Sequence, residues 1–147
     1  MFHYNILNNQ SLKPNKKIID KIFEKVFNII EKKQNWTLNL VFVDDDSIKK
    51  LNNDYRKINK ITDVLSFHYF DNFDNLKKDD IAWEIIFNYN RIKSQALEQN
   101  HSEEKEFYIL LIHSILHILW YDHEKDSDYT IMNEFEKRIY QEVFEKE

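Results

Sequence analysis

The chain has 147 residues, 42% of them apolar and 15% aromatic, which excludes a disordered segment and suits one ordinary domain with its own core. Its formal charge is −5, from 21 basic and 26 acidic residues, so tight non-specific binding to nucleic acid is disfavoured, while a short basic groove is not. Cysteine is absent, which excludes disulfides and requires any zinc site to be built from His, Asp or Glu.

The opening MFHYNILNNQ has no basic region followed by an apolar run, so no signal peptide is expected there, and MFHYNIL reads as a short first strand. PNKKIIDKIFEKVFNIIEKK begins with Pro14 and sets Ile18, Ile19, Ile22, Phe23, Val26, Ile29 and Ile30 on one stripe, the pattern of an amphipathic helix. TLNLVFV alternates and is rich in β-formers, so it predicts a strand. The acids Asp44 to Asp46 follow and can cap a short helix through SIKKLNNDYR. DVLSFHYF and IAWEIIFNY predict two further strands, separated by the polar loop DNFDNLKKDD.

Helices follow. NRIKSQALEQN predicts a short one, and Ser102 can cap the next, with Glu103 and Glu104 favourable in its first turn. From 107 to 119 that helix is apolar almost all round, which predicts central burial. The last helix, from about Ser127, shows Met132, Phe135, Ile139 and Val143 on one side. The longest uncharged apolar run, residues 107–121, is shorter than the ~17–25 residues of a membrane span, and a soluble, cytoplasmic protein is expected. With no repeat or linker, the layout predicts a single α+β domain over 1–147: a small mixed β-sheet packed with helices, and a central buried helix.

That central helix carries HSILHILWYDH, with three of the chain's six histidines at His113, His117 and His123. The first two are four apart, so their imidazoles share one helix face and can take adjacent corners of a zinc tetrahedron. The third reaches the same metal only if the helix ends soon after Leu119 and WYDH folds back. Three histidines leave the fourth position open, as in catalytic zinc sites. The plainer alternative is a set of core or helix-end histidines, although burying three without partners is costly. The same spacing occurs in the metzincin peptidase pattern H-E-x-x-H-x-x-G-x-x-H, but Ser114 stands where that pattern has its glutamate base, which disfavours a peptidase.

HSILHILWYDH resembles the H-G-x-L-H-L-x-G-Y-D-H of the YbeY family of single-strand-specific endoribonucleases. NNDYRKINKITDVLSF, residues 52–67, is similar to that family's N-x-x-Y-R followed by P-T-(D/N)-V-L-S-F, and AWEIIF is a weaker match to its G-D-I-V-I strand. The likeness runs in order from about residue 36. It implies one Zn2+ per chain, held by His113, His117 and His123 in a metzincin-like site, with Arg56 as a catalytic arginine. Such an arginine can fork onto a phosphate and stabilise transition-state charge; alone it reads as a surface arginine. It further implies action on single-stranded ribosomal RNA, in processing of the 16S 3′ end and in ribosome quality control. The small ribosomal subunit is then a partner, and neither DNA nor membrane is. Two rivals stand: a zinc metallopeptidase, and a non-catalytic ribosome-associated domain that has lost the metal.

Lys57 and Lys60 can extend a phosphate strip or simply be solvated. Asp122 can orient a ligand histidine or cap a turn. Glu84 stands where the family favours Asp. Phe67, His68, Tyr69 and Phe70 are candidates for stacking on bases, at least half of them belonging to the core because a strand alternates faces.

Glycine is absent, where average usage gives roughly ten. Turns of positive φ must then use Asn or Asp. Ser114, Trp120 and Trp83 occupy family glycine positions. Trp120, where the chain must turn back, is the expected weak point of the zinc site. Two of the three tryptophans fall on such positions, as a codon read as glycine in the source organism, an altered sequence or plain adaptation would each produce.

Overall fold

The computed structural model describes residues 3–30, 36–69, 76–119 and 126–145. Its elements are β1 (His3–Leu7), α1 (Lys16–Ile30), β2 (Thr37–Val43), α2 (Asp45–Arg56), β3 (Val64–His68), β4 (Ile81–Asn88), α3 (Tyr89–Gln99), α4 (Glu103–Leu119) and α5 (Asp126–Tyr140), the last running into a π-helical turn at Gln141–Glu145. This is the α+β class expected, with a mixed four-stranded sheet. The chain clusters into two compact units, Met1–Lys13 with Gln34–Glu106, and Pro14–Lys33 with Phe107–Glu147.

The first unit is built on the sheet, in the order β1-β2-β4-β3. β1 and β4 both run parallel to β2, and β3 is antiparallel to β4 at the edge. β4 reads as an almost continuous apolar run because nearly all of it is buried, Glu84 being the one charge. Strand alternation divides the sheet into two faces. On one, Leu65 and Ile86 pack with Ile48 of α2 in a buried cluster, bordered by Val41, Val43, Leu51 and Phe67. Full burial of Ile48 contributes roughly 1.5–3 kcal/mol.

Capping fixes where the helices of this unit begin and end. Asp44 accepts from the Ser47 amide at 2.9 Å, which holds its carboxyl below the usual carboxylate range. Buried Asn88 caps α3 by accepting from the amides of Asn90 and Arg91, while its own amide donates to Asp45 at 2.7 Å. Without glycine, α2 and α3 still end in the left-handed region, at Lys57 (φ 60) and Asn100 (φ 56). Among the described residues the positive-φ positions are Asn8, Gln10, Lys57 and Asn100. Asn supplies two, and Lys and Gln supply the others against expectation, at a cost of about 1–2 kcal/mol each.

The second unit is helical. α1 starts at Lys16, two residues after Pro14, with Asn15 accepting from the Lys17 amide at 2.9 Å. Its expected stripe is buried at Ile19, Ile22, Phe23 and Val26, and Phe27 joins it. Asn15 also donates its backbone amide to the Tyr108 hydroxyl at 2.7 Å. α5 buries Met132 and Ile139, and Val143 continues that seam in the π-turn. Among the described residues no helix is long and apolar enough to cross a membrane.

Candidate metal centre

α4 is capped by Ser102, whose hydroxyl accepts from the Lys105 amide at 3.1 Å, and it runs unbroken to Leu119. From Phe107 to Ile118 it is buried all round except along Ile109, His113 and His117. Those three are spaced by four and form one stripe. The histidines therefore occupy the only half-buried line on this part of the helix.

Along that line the two rings meet edge to face, centroids 4.3 Å apart, with Nε2 of His117 2.9 Å from Nε2 of His113. On its other side, Nδ1 of His113 lies 3.0 Å from Oε2 of Glu136 on α5. A proton on Nδ1, donated to Glu136, leaves the Nε2 lone pair of His113 facing His117. Burial chiefly, and the neighbouring His113 next, push the His117 pKa below its ordinary value, with Glu136 opposing. Both effects favour the neutral imidazole, the form in which a histidine can bind a metal.

The pair fits zinc. Two nitrogens at about 2.0–2.1 Å from a tetrahedral centre sit roughly 3.3 Å apart, a few tenths of an ångström beyond the observed contact. Among the described residues no group of three or more His, Asp or Glu side chains is placed to hold a metal. His123, Asp122 and Trp120 lie outside the described residues.

Glu136 is the residue that sequence reasoning missed. Its signal is nevertheless present: it sits four after Met132 and three before Ile139, an acid inside an apolar helical seam. It also lines a cavity of about 470 Å3 between α4 and α5, with Ile109, Ile112, Lys137 and Tyr140.

Ser114 is buried at 2% exposure, and its hydroxyl has no hydrogen-bond partner among the described residues. As a serine it offers no general base. Arg56 belongs to the first unit, at the exposed last turn of α2, and forms no ion pair among the described residues. Lys57 and Lys60 follow it, both exposed. Glu84 accepts from Asn39 Nδ2 at 3.3 Å and from the Tyr69 hydroxyl. Burial first, then Glu84, pushes the Tyr69 phenol up to about 12. Trp83 takes no positive φ and is buried in β4, its ring 5.1 Å from that of His68.

Most of the chain is similar to proteins of known family. Residues 4–144 match the family described as Endoribonuclease YbeY. A protein of that name from Fusobacterium nucleatum is 40% identical over 124 residues, covering 82% of this chain and 76% of its own length. Another, from Mycoplasmopsis pulmonis, is 38% identical over 129 residues, covering 84% and 86%. The solution structure of TM1509 from Thermotoga maritima superposes with a TM-score of 0.59 at 30% identity, over 96% of this chain and 89% of that one. The chain belongs to the Endoribonuclease YbeY family, a family of hydrolases acting on RNA.

Proposed function

We propose that this protein is a zinc-dependent endoribonuclease of the cytoplasm that cleaves single-stranded ribosomal RNA, matures the 3′ end of the small-subunit RNA and acts in ribosome quality control, with the small ribosomal subunit as partner. The observation that carries this reading is the His117–His113–Glu136 relay on the half-buried stripe of α4 between Phe107 and Ile118, in a chain of an endoribonuclease family. His113, His117 and His123 hold the metal, and the family match across both units supports one functional domain. Zinc, when bound, supplies a Lewis acid for a phosphoryl group.

The chain's own residues do the rest. Glu136 orients the His113 ring through Nδ1, and burial disfavours protonation of His117. Arg56, free of ion pairs among the described residues, supplies a fork for the charge that builds on the phosphate. A peptidase is unsupported, since buried Ser114 occupies the position of its base.

The test is cleavage of a labelled single-stranded RNA by the purified, zinc-supplemented chain, beside a duplex of the same sequence and an unfolded protein. Chelator-sensitive cleavage of the single strand alone is expected. Cleavage of protein without RNA would establish the peptidase. Binding to ribosomal particles with neither zinc nor cleavage would establish a non-catalytic domain.

A further inference from the structure

The end of α2 and edge strand β3 carry an aromatic row whose two outer rings, Tyr55 and Tyr69, are exposed, while the middle one, Phe67, borders the buried cluster of Ile48, Leu65 and Ile86. Tyr55 is 69% exposed, yet its ring stands 5.0 Å from that of Phe67, tilted by 58°. Phe67 is half-buried and pairs in register with Glu84. Tyr69 is two residues on, so it shares the face of Phe67. Its amide donates to Ala82 O at 2.9 Å, extending the pairing with β4, and its hydroxyl is held by Glu84. Glu84 is braced in turn by Asn39 at 3.3 Å, and Asn39 by Asn5 at 3.0 Å. His68, between them, turns to the opposite face against Trp83. Tyr69 is itself 56% exposed. Three rings thus line one face at the edge of the described sheet, two of them largely in water.

Positive charge sits at one end of the row. Residues 55–60 include Arg56, Lys57 and Lys60 and no acid, and all of them are exposed. The segment is also preorganised. Lys57 is fixed as the αL cap of α2, and buried Asn52 donates to Lys60 O at 3.0 Å and accepts from the Ile58 amide at 3.3 Å. Rigid exposed rings beside a basic strip are the two parts that single-strand binding needs: faces on which unpaired bases stack, and cations along the phosphates.

We propose that Tyr55, Phe67 and Tyr69 form a stacking subsite for consecutive unpaired bases of the RNA, with Lys57 and Lys60 taking the adjoining phosphates. The subsite discriminates against duplex RNA because paired bases keep their faces covered. The inference rests on the endoribonuclease reading for its ligand, and its test is separable from that reading because it measures binding without cleavage.

The experiment is fluorescence anisotropy of a labelled single-stranded RNA with the full chain in excess chelator, beside a duplex control. Tyr55→Ala and Tyr69→Ala are each expected to weaken single-strand binding by about 5- to 100-fold, while Tyr55→Phe stays within about twofold. Leu97→Ala, which removes another exposed apolar side chain, should change nothing. Circular dichroism confirms that the variants fold. Selective binding through these rings with no cleavage under any condition upholds the subsite and defeats the nuclease reading. Cleavage by the wild type, with KM and affinity unmoved in both alanine variants, upholds the nuclease and overturns the subsite. Wild-type protein that binds duplex as tightly as single strand, or binds neither, overturns it as well.

Discussion

Nδ1 of His113 and Oε2 of Glu136 stand 3.0 Å apart, joining α4 to α5 across 23 residues of sequence. The contact decides which ring nitrogen of His113 carries a proton, and so which one can face a metal. Replacing Glu136 by Ala is expected to weaken zinc binding about 10- to 100-fold without unfolding α5, since the Glu136 side chain is 26% exposed. Glu136→Gln keeps an acceptor and should lose less. Competition against a chromogenic chelator measures both, and unchanged zinc affinity in Glu136→Ala would remove Glu136 from the site.

His117→Ala and His123→Ala should each yield a chain that carries no zinc by native mass spectrometry, where the wild type carries one per chain after zinc-supplemented folding. The three-histidine proposal does not survive a His123→Ala protein that retains the metal. The intact mass of protein made in its native host also shows whether Trp83 and Trp120 are tryptophans.

Arg56→Ala is expected to lower kcat by about 10²–10³-fold with zinc content unchanged, because a fork that stabilises transition-state charge acts on the chemical step. Arg56→Lys should recover little of it, since an ammonium lacks the bidentate geometry. Loss confined to KM would make Arg56 a binding residue.

Tyr69, with its phenol pushed up to about 12 by burial and Glu84, gives a pH prediction away from the metal. Its folded pKa lies above the unfolded value of about 10, so the folded state keeps a proton that the unfolded state releases. The contribution is complete below about pH 10 and is lost as pH rises toward 12. Difference titration near 295 nm between wild type and Tyr69→Phe should show this late ionisation, and Glu84→Ala should draw it back toward 10.

Trp83 fills a family glycine position, yet it is 4% exposed and packed on His68. Trp83→Gly is therefore expected to destabilise the fold by about 3–5 kcal/mol through the cavity it leaves. A denaturation midpoint equal to wild type would mean that the surrounding sheet closes over the space.

Much was legible before any fold was known, because it depends on neighbours in sequence. The stripe of Ile19, Ile22, Phe23 and Val26 needs only a 3.6-residue period. The caps at Asp44 and Ser102 need only a spacing of three residues, and the convergence of His113 and His117 on one helix face a spacing of four. The resemblance to an endoribonuclease family also lay in contiguous motifs. What tertiary structure alone decided is whatever joins distant segments. The order β1-β2-β4-β3 places Asn39 beside Glu84, and the β3–β4 pairing brings Tyr69 within reach of its carboxylate. α5 returns to set Glu136 against His113, and the end of α2 meets β3 to stand Tyr55 on Phe67. Periodicity states which face of an element is apolar. It does not state which other element covers that face, since that choice is made by burial summed over the whole chain.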